Sequence, residues 1–243
     1  MKAIETKNLT KRYGEITALA GLNLAVEQGE MLALLGVNGA GKTTAIKLLS
    51  CLATPSEGEA WLCGHSILDE AQEVKRVIGV SPQETAVAKK LSVRENLQFM
   101  AEVYGTHKEE ATLRVEQMIE RMALDKVATQ RASTLSGGWQ RRLSIAMALI
   151  GEPQILFLDE PTLGLDVIAR HELWEQIRAL KGKTTVILTT HYLEEAEALC
   201  DRIAILSGGK LITLGTADEL KALAGKEKFE DAFVALCAGG VRT

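Results

Sequence analysis

The sequence lacks several features that would place the protein in a specialised class. Its 243 residues include only four cysteines, four prolines and 4% aromatic residues. Cys51, Cys63, Cys200 and Cys237 lie far apart with no CxxC spacing, which indicates reduced thiols rather than a disulfide framework or a zinc site. No apolar run approaches the roughly 20 residues of a membrane-spanning helix. The net charge of −4 provides no broad basic surface, so we expect no nucleic-acid partner.

The composition that is present is that of an ordinary globular protein. Hydrophobic residues make up 47% of the chain and charged residues 25%. The start of the sequence has no apolar segment of the kind found in secretion signals. We therefore expect a cytoplasmic protein with a substantial core.

Short apolar segments that alternate with helical periodicity predict an α/β fold with a mostly parallel sheet. The predicted buried strands are 30–35, 78–80, 155–158, 186–188 and 203–206. Alternating apolar residues over 3–9 and 16–26 predict short antiparallel strands at the start of the chain. The glycines at 208 and 209 predict a hairpin turn, and 218–235 is predicted to form one closing helix.

The strand pattern disappears between residues 91 and 149. Helical periodicity takes its place over 93–104, 108–122 and 139–150. We therefore predict a helical subdomain, 84–150, inserted between two parts of a catalytic core, 1–83 and 151–243.

A glycine-rich run follows the first predicted buried strand and matches the phosphate-binding pattern GxxxxGK[ST]. Its residues are Gly36, Val37, Asn38, Gly39, Ala40, Gly41, Lys42 and Thr43, and Thr44 follows in the predicted helix. Glycines let successive N–H groups face a phosphate, Lys42 neutralises its oxygens, and the Thr43 hydroxyl suits Mg²⁺. The alternative is a plain turn with an exposed lysine, but the flanking strand and helix favour a nucleoside triphosphate site.

Asp159 and Glu160 stand at the end of another predicted buried strand. An ionised carboxylate there is costly unless it meets a cation. Asp159 is suited to hold Mg²⁺, and Glu160 is suited to act as the general base for an attacking water. A salt-bridged strand end is the alternative, and the phosphate-binding loop favours the catalytic interpretation.

Ser136, Gly137 and Gly138 open the predicted helix near residue 139. A helix N-terminus free of large side chains can bind an anion, and Ser136 can both cap the helix and donate to a phosphate. We infer a second phosphate-binding segment. Taken alone, the segment is equally compatible with a simple helix cap.

These motifs, in this order, resemble the ATP-binding cassette (ABC) family from about residue 9 to residue 215. GVNGAGKT is similar to its Walker A loop, ILFLDE to its Walker B motif and LSGG to its signature. Gln83 matches its Q-loop, Leu165 and Asp166 its D-loop, and His191 its switch histidine. Trp139 is a departure, since the family most often has Gln after LSGG, and this leaves the local geometry of the signature open.

The resemblance implies a P-loop NTPase fold and a role for each matched residue. Glu160 would be the general base, His191 would orient the γ-phosphate and the water, and Gln83 would sense Mg²⁺ or water. Thr43, Gln83 and Asp159 would form the metal site. Tyr13 would stack on adenine, although an exposed strand residue is its plain alternative, and a structural role is the alternative for His191.

The resemblance also implies partners. The signature of one subunit would face the Walker A loop of another, giving an ATP-dependent head-to-tail dimer with itself or with a paralogous ATPase. The chain would energise a separate transmembrane permease, that of an exporter, from the inner face of the membrane, with docking near Gln83 and 93–104. The competing role is that of a soluble ABC ATPase acting on a non-membrane machine.

Overall fold

The computed structural model describes residues 1–239, and residues 240–243 of the predicted core lie outside this range. The strands are β1 (Lys2–Tyr13), β2 (Ile16–Glu27), β3 (Met31–Leu35), β4 (Glu57–Leu62), β5 (His65–Ser66), β6 (Ile78–Ser81), β7 (Ile155–Asp159), β8 (Thr185–Thr190), β9 (Arg202–Ser207) and β10 (Lys210–Gly215). The helices are α1 (Lys42–Leu49), α2 (Ala71–Val77), α3 (Val93–Val103), α4 (Lys108–Arg121), α5 (Gly137–Leu149), α6 (Val167–Arg178), α7 (Leu193–Leu199), α8 (Ala217–Ala224) and α9 (Phe229–Gly239).

The central sheet has the strand order β10-β9-β3-β8-β7-β6. Its neighbours pair in parallel from β9 to β6, and β10 pairs antiparallel with β9 through the predicted glycine turn. Strands β3, β7 and β8 are buried along their whole length, which explains the continuous apolar sequence of β3, the four apolar residues of β7 and the apolar centre of β8. The predicted α/β fold with a mostly parallel sheet is confirmed.

The order of these strands decides where the functional residues meet. Strand β8 lies between β3 and β7 and is parallel to both. The segments that follow the three strands therefore leave the sheet at the same edge. That edge is the usual ligand-binding side of an open parallel sheet.

A second sheet, with order β2-β1-β4-β5, is antiparallel throughout and confirms the predicted N-terminal antiparallel region. Strands β1 and β2 have 12 residues each and are longer than the short strands expected. Register shifts along their pairing interrupt the regular alternation on which the expectation rested. Strand β4 was not predicted, because its sequence contains Gly58 and two glutamates.

In the described range 84–150 the α-helices are α3, α4 and α5. Leu97 of α3, Val115 and Ile119 of α4 and Leu143 of α5 share one apolar cluster. The same cluster includes Leu158 of β7, so α5 joins the helices to the central sheet. The division of the chain into a core and an inserted subdomain stays a prediction.

The end of the described chain differs from the expectation of one helix over 218–235. It forms two helices, α8 and α9. Thr216 and Glu219 make a capping box at the start of α8, and Gly225 ends this helix with a φ of 64°. The single-helix prediction is wrong because Gly225 adopts a left-handed conformation that stops α8.

Two further expectations concern the chain as a whole. None of the helices within residues 1–239 is both long enough and apolar enough to cross a membrane. The four cysteines are free thiols and half-buried.

Candidate active site

A cavity of about 420 Å³ lies at the edge of the central sheet where β3, β7 and β8 end. It is lined by Ala18, Asn38, Gly39, Ala40, Gly41, Lys42, Thr43, Thr44, Gln83, Glu160, Leu163 and His191. The structure thus brings together most of the residues predicted from the motifs. Ala18 and Leu163 were not predicted, because single apolar residues in a strand and a loop give no functional signal.

The backbone of the glycine-rich loop needs glycine at two positions. Gly39 has a φ of 82° and Gly41 a φ of 101°, both in the left-handed region. A Cβ atom on Gly41 would also lie 2.6 Å from the carbonyl oxygen of Ala18. Gly41 is the N-cap of α1 and provides no side-chain cap, so the first N–H groups of this helix face the cavity end of the loop.

Lys42 is buried at the base of the loop and meets two kinds of acceptor. Its Nζ donates to the carbonyl oxygens of Gly36 at 2.7 Å and Val37 at 3.3 Å. The same ammonium lies 3.4 Å from Oε1 of Glu160. Gly36 and Val37 therefore belong to the site through Lys42, although neither lines the cavity.

Asp159 ends β7 and accepts two hydroxyl hydrogen bonds at its Oδ1. Thr189 Oγ1 of β8 donates at 2.5 Å, and Thr43 Oγ1 of α1 donates at 3.3 Å. The aspartate is thereby held against the start of α1. This arrangement places a carboxylate and a hydroxyl, both hard oxygen donors, next to each other.

Glu160 is held in an unusual backbone conformation beside His191. Its φ of 50° lies in the left-handed region, which is costly for a residue with a side chain. The N–H of Glu160 is fixed by the carbonyl oxygen and the Oγ1 of Thr189, at 3.1 and 3.0 Å. Oε2 of Glu160 then lies 2.6 Å from Nδ1 of His191.

Gln83 lines the cavity, and its backbone is tied to the helical segment. The guanidinium of Arg141 in α5 donates to the carbonyl oxygens of Gln83 and Pro82, the latter at 2.6 Å. Burial lowers the pKa of Arg141, and the negative charge of Asp159 partly offsets this effect. Arg141 was not predicted as a site residue, because an arginine within a helix gives no local sign of such a contact.

Besides Gly36, Val37 and Asp159, four more of the predicted residues are not part of the lining of this cavity. Tyr13 is half-exposed at the end of β1, with Nζ of Lys11 5.1 Å from its ring centre. Ser136, Gly137 and Gly138 lie at the start of α5. Ser136 is the N-cap of α5, but its side chain makes no cap hydrogen bond in the described structure, so its hydroxyl is not used as a helix cap.

Trp139 is partly buried and packs against neighbouring side chains of its own subunit. Its ring centre lies 4.6 Å from the guanidinium carbon of Arg142. Arg142 also donates to Oε2 of Glu172 in α6 at 2.8 Å. The indole thus takes part in a contact that links the signature helix α5 to α6, in place of the polar residue that the family most often has.

The parallel sheet, the glycine-rich loop that leads into α1 and the paired carboxylates of β7 define a P-loop nucleoside triphosphatase. Within that class, the profile of the ABC transporter family matches residues 10–163. The chain belongs to this family as an ATP-binding and ATP-hydrolysing domain. The resemblance found in the motifs is confirmed.

Two relatives show the degree of similarity. The chain is 43% identical over 229 residues to the daunorubicin resistance ATP-binding protein DrrA3 of Streptomyces coeruleorubidus. The aligned region covers 94% of this chain and 72% of that protein. It is 42% identical over 219 residues to the Nod factor export ATP-binding protein I of Burkholderia orbicola, covering 89% of this chain and 72% of that protein.

Solved structures agree with the fold. The ATP-binding subunit of an ABC transporter superposes with a TM-score of 0.86 at 30% identity, covering 96% of this chain and 99% of the other. A dimeric ATP-binding cassette in a post-hydrolysis state, bound to ADP and Pi, gives a TM-score of 0.79 at 28% identity, covering 88% of this chain and 98% of the other. The cbiO1 protein of Clostridium perfringens, part of the ABC transporter complex cbiONQ, gives 0.83 at 27% identity, with 91% of each chain covered.

Proposed function

We propose that the chain is the ATP-hydrolysing subunit of a bacterial ABC exporter, works on the cytoplasmic face of the membrane and energises a separate permease. The proposal for the chemistry rests on one observation, the Glu160–His191 pair at 2.6 Å in a cavity that also contains the glycine-rich loop. The proposal for export rests on the relatives, whose names refer to drug resistance and Nod factor export.

The triphosphate would lie along the loop from Asn38 to Thr44. Backbone N–H groups at the start of α1 would bind the phosphate oxygens, together with the ammonium of Lys42. In the structure this ammonium already contacts a carbonyl oxygen and Glu160. Phosphate oxygens would compete for it, and Glu160 would then be free to act on water. Tyr13 would stack on the adenine from the end of β1.

The residues around Asp159 fit a magnesium site. Mg²⁺ prefers oxygen ligands and is usually held by one or two protein groups together with substrate phosphates. Thr43 and Asp159 provide a hydroxyl and a carboxylate 3.3 Å apart, and Gln83 lines the cavity together with Thr43. When bound, the ion would neutralise charge on the β- and γ-phosphates.

Glu160 and His191 would divide the work of hydrolysis. Glu160 would accept the proton of the attacking water, since its carboxylate faces the cavity from the end of β7. His191 would orient the water and the γ-phosphate, because its imidazole shares the cavity and is fixed by the Glu160 carboxylate. Neither role requires movement of the sheet edge that positions the two residues.

The signature would complete the site of a second subunit. Ser136 and Gly137 are exposed, and Ser136 lies outside the cavity of its own chain. A head-to-tail, two-fold pairing with itself or a paralogous ATPase would bring each signature over the partner's triphosphate. Each charge-assisted contact contributes about 1.5–3 kcal/mol, so a few contacts at each site would favour the closed dimer.

The permease would dock on the helical side of the subunit near Gln83 and α3. Phe99 and Val103 of α3 are exposed by 53% and 60%. The Arg141 contacts connect α5 to the segment at Gln83. A partner seated there would therefore be linked mechanically to the cavity.

Purification of the tagged chain from detergent-solubilised membranes of its own host tests this role. We expect a multi-span membrane protein to co-purify with the wild-type chain, and Phe99→Asp to reduce its recovery. Glu102→Gln, which changes charge on the same helix, is the matched control. Recovery of ribosomal or DNA-bound partners in place of a membrane protein would instead support a soluble ABC ATPase.

A further inference from the structure

A buried carboxylate in α7 has no part in the proposed mechanism. The side chain of Glu195 is 0% exposed, whereas that of Glu194 next to it is 80% exposed. A carboxylate taken out of water is costly unless hydrogen bonds or a cation compensate. Its burial therefore calls for a specific explanation.

Glu195 connects three segments through one oxygen atom. Oε1 accepts a hydrogen bond from Thr162 Oγ1 at 2.8 Å and another from Trp174 Nε1 at 3.1 Å. Thr162 lies in the loop after β7, and Trp174 lies in α6. One side chain of α7 thus binds both the loop that contains Leu163 and the helix that follows Asp166.

The surroundings of Glu195 disfavour the ionised form of its carboxyl group. Burial raises the pKa of its carboxyl group, because desolvation outweighs the favourable interactions with the hydroxyls of Thr190 and Thr162 and with the indole N–H of Trp174. The charge of Glu160 raises this pKa further, which places the two carboxyl groups within electrostatic reach. Oε2 of Glu195 has no hydrogen-bond partner among the residues that the structure describes.

The Thr162–Glu195 bond duplicates the connection made by the Glu160–His191 pair. Thr162 follows Glu160 by two residues, and Glu195 follows His191 by four. The loop after β7 and the segment after β8 are therefore joined twice, once in the cavity at 2.6 Å and once in the core at 2.8 Å. Loss of the Thr162–Glu195 bond would therefore remove one of the two connections that hold Glu160 and His191 in place.

We propose that Glu195 is a positioning residue, which holds Glu160 and His191 at hydrolytic geometry by bonding Thr162 and Trp174 from α7. This inference rests on the proposed roles of Glu160 and His191. Glu195 does not touch the cavity and acts through the pair. Its effect should appear in the rate of hydrolysis rather than in the affinity for ATP.

Steady-state ATP hydrolysis by the purified full chain tests the inference. We expect Glu195→Ala to lower kcat about tenfold or more with KM for ATP changed less than about twofold, because misplacement affects the reacting geometry and not nucleotide binding. Glu195→Gln should keep kcat within about threefold, since its amide oxygen accepts both hydrogen bonds and its size is the same. Glu194→Ala is the matched control on the same helix and should behave as wild type.

The partners of Glu195 provide a test that does not depend on the folding of Glu195→Ala. Thr162→Val removes one donor with little change in volume and should lower kcat with KM unchanged. Unchanged kcat in a folded Thr162→Val or Glu195→Ala would overturn the proposal. Equal losses in Glu195→Gln and Glu195→Ala would do so too, because rescue by the isosteric amide would be missing.

A double-variant comparison separates positioning from general destabilisation. In the His191→Ala background, Glu195→Ala should lower kcat by less than about threefold, because residues that act as a unit are not additive. An undiminished tenfold loss in that background would contradict the proposal. Glu160→Gln, measured in parallel, tests the proposed function by itself. If it hydrolyses ATP normally, the assigned chemistry fails, whereas its inactivity together with a normal Glu195→Ala removes the positioning role alone.

Discussion

The imidazole of His191 and the carboxylate of Glu160 come from the ends of adjacent parallel strands and meet at 2.6 Å between Nδ1 and Oε2. Two features of the sheet bring these two side chains into contact. The pairing of β7 with β8 aligns Asp159 with Thr189, and Thr189 in turn fixes the N–H of Glu160. The geometry of the pair is therefore a property of the sheet edge.

Replacement of Glu160 by glutamine should stop hydrolysis and keep nucleotide binding. Glutamine cannot accept the proton of water, and loss of a general base typically costs about 10²–10⁴-fold in rate. Phosphate release from ATP measures the rate, and a fluorescent ATP analogue measures binding. Glu172→Gln, the same change of residue type in α6, is the matched control. Turnover of Glu160→Gln at the wild-type rate would exclude Glu160 as the base.

Replacement of Lys42 by alanine should weaken ATP binding by about tenfold to a hundredfold, because a charge-assisted contact contributes about 1.5–3 kcal/mol. The stabilisation of the protein by ATP, measured as a rise in Tm, should fall accordingly. Lys47→Ala on the exposed side of the same helix is the matched control. Equal ATP affinities of the two variants would argue against phosphate binding by Lys42.

Tyr13 should contribute to binding through its ring and not through its hydroxyl. Stacking of a base on an aromatic side chain is worth about 1–3 kcal/mol, so Tyr13→Ala should weaken ATP binding by about 5- to 100-fold, and Tyr13→Phe should leave it nearly unchanged. Inorganic tripolyphosphate has no base, and its binding should be the same in all three proteins. A loss of tripolyphosphate binding in Tyr13→Ala would point to damage of the loop instead.

A bulky charge at Ser136 should block dimer formation while each subunit still binds ATP. Light scattering of Glu160→Gln with ATP should show a dimer, and the added Ser136→Arg substitution should leave a monomer. Nucleotide binding by the monomer should stay within about twofold, since Ser136 lies outside its own cavity. Thr112→Arg on the exposed side of α4 is the control, and an undisturbed dimer in the Ser136 variant would contradict the head-to-tail arrangement.

Local sequence patterns were sufficient for the phosphate-binding loop and the strand that ends at Asp159, since both combine a buried strand with residues of distinctive chemistry. They were insufficient where a conformation depends on distant contacts. Gly58 of β4 has a φ of 76° and packs against the backbone of Asn8, far away in sequence. Nothing within the segment itself indicates that partner.

The helix over 218–235 was misjudged for a related reason. Its apolar periodicity continues across Gly225, and a glycine within a helical pattern is tolerated often enough to be overlooked. Glu195 was missed because it lies between two other glutamates, Glu194 and Glu197, in a short segment, which suggests an exposed face. A signal was present, since Glu195 lies one turn before the buried Leu199 and next to the buried Ala196, on the apolar side of α7.

The position of Ser136 outside its own cavity has a genetic consequence. If each site takes its loop from one chain and its signature from the other, a mixed dimer of Lys42→Ala and Ser136→Ala chains places both substitutions in one site and leaves the second site wild-type. Two alleles that are each inactive when expressed alone should therefore complement one another when co-expressed. Two copies of the same allele should not.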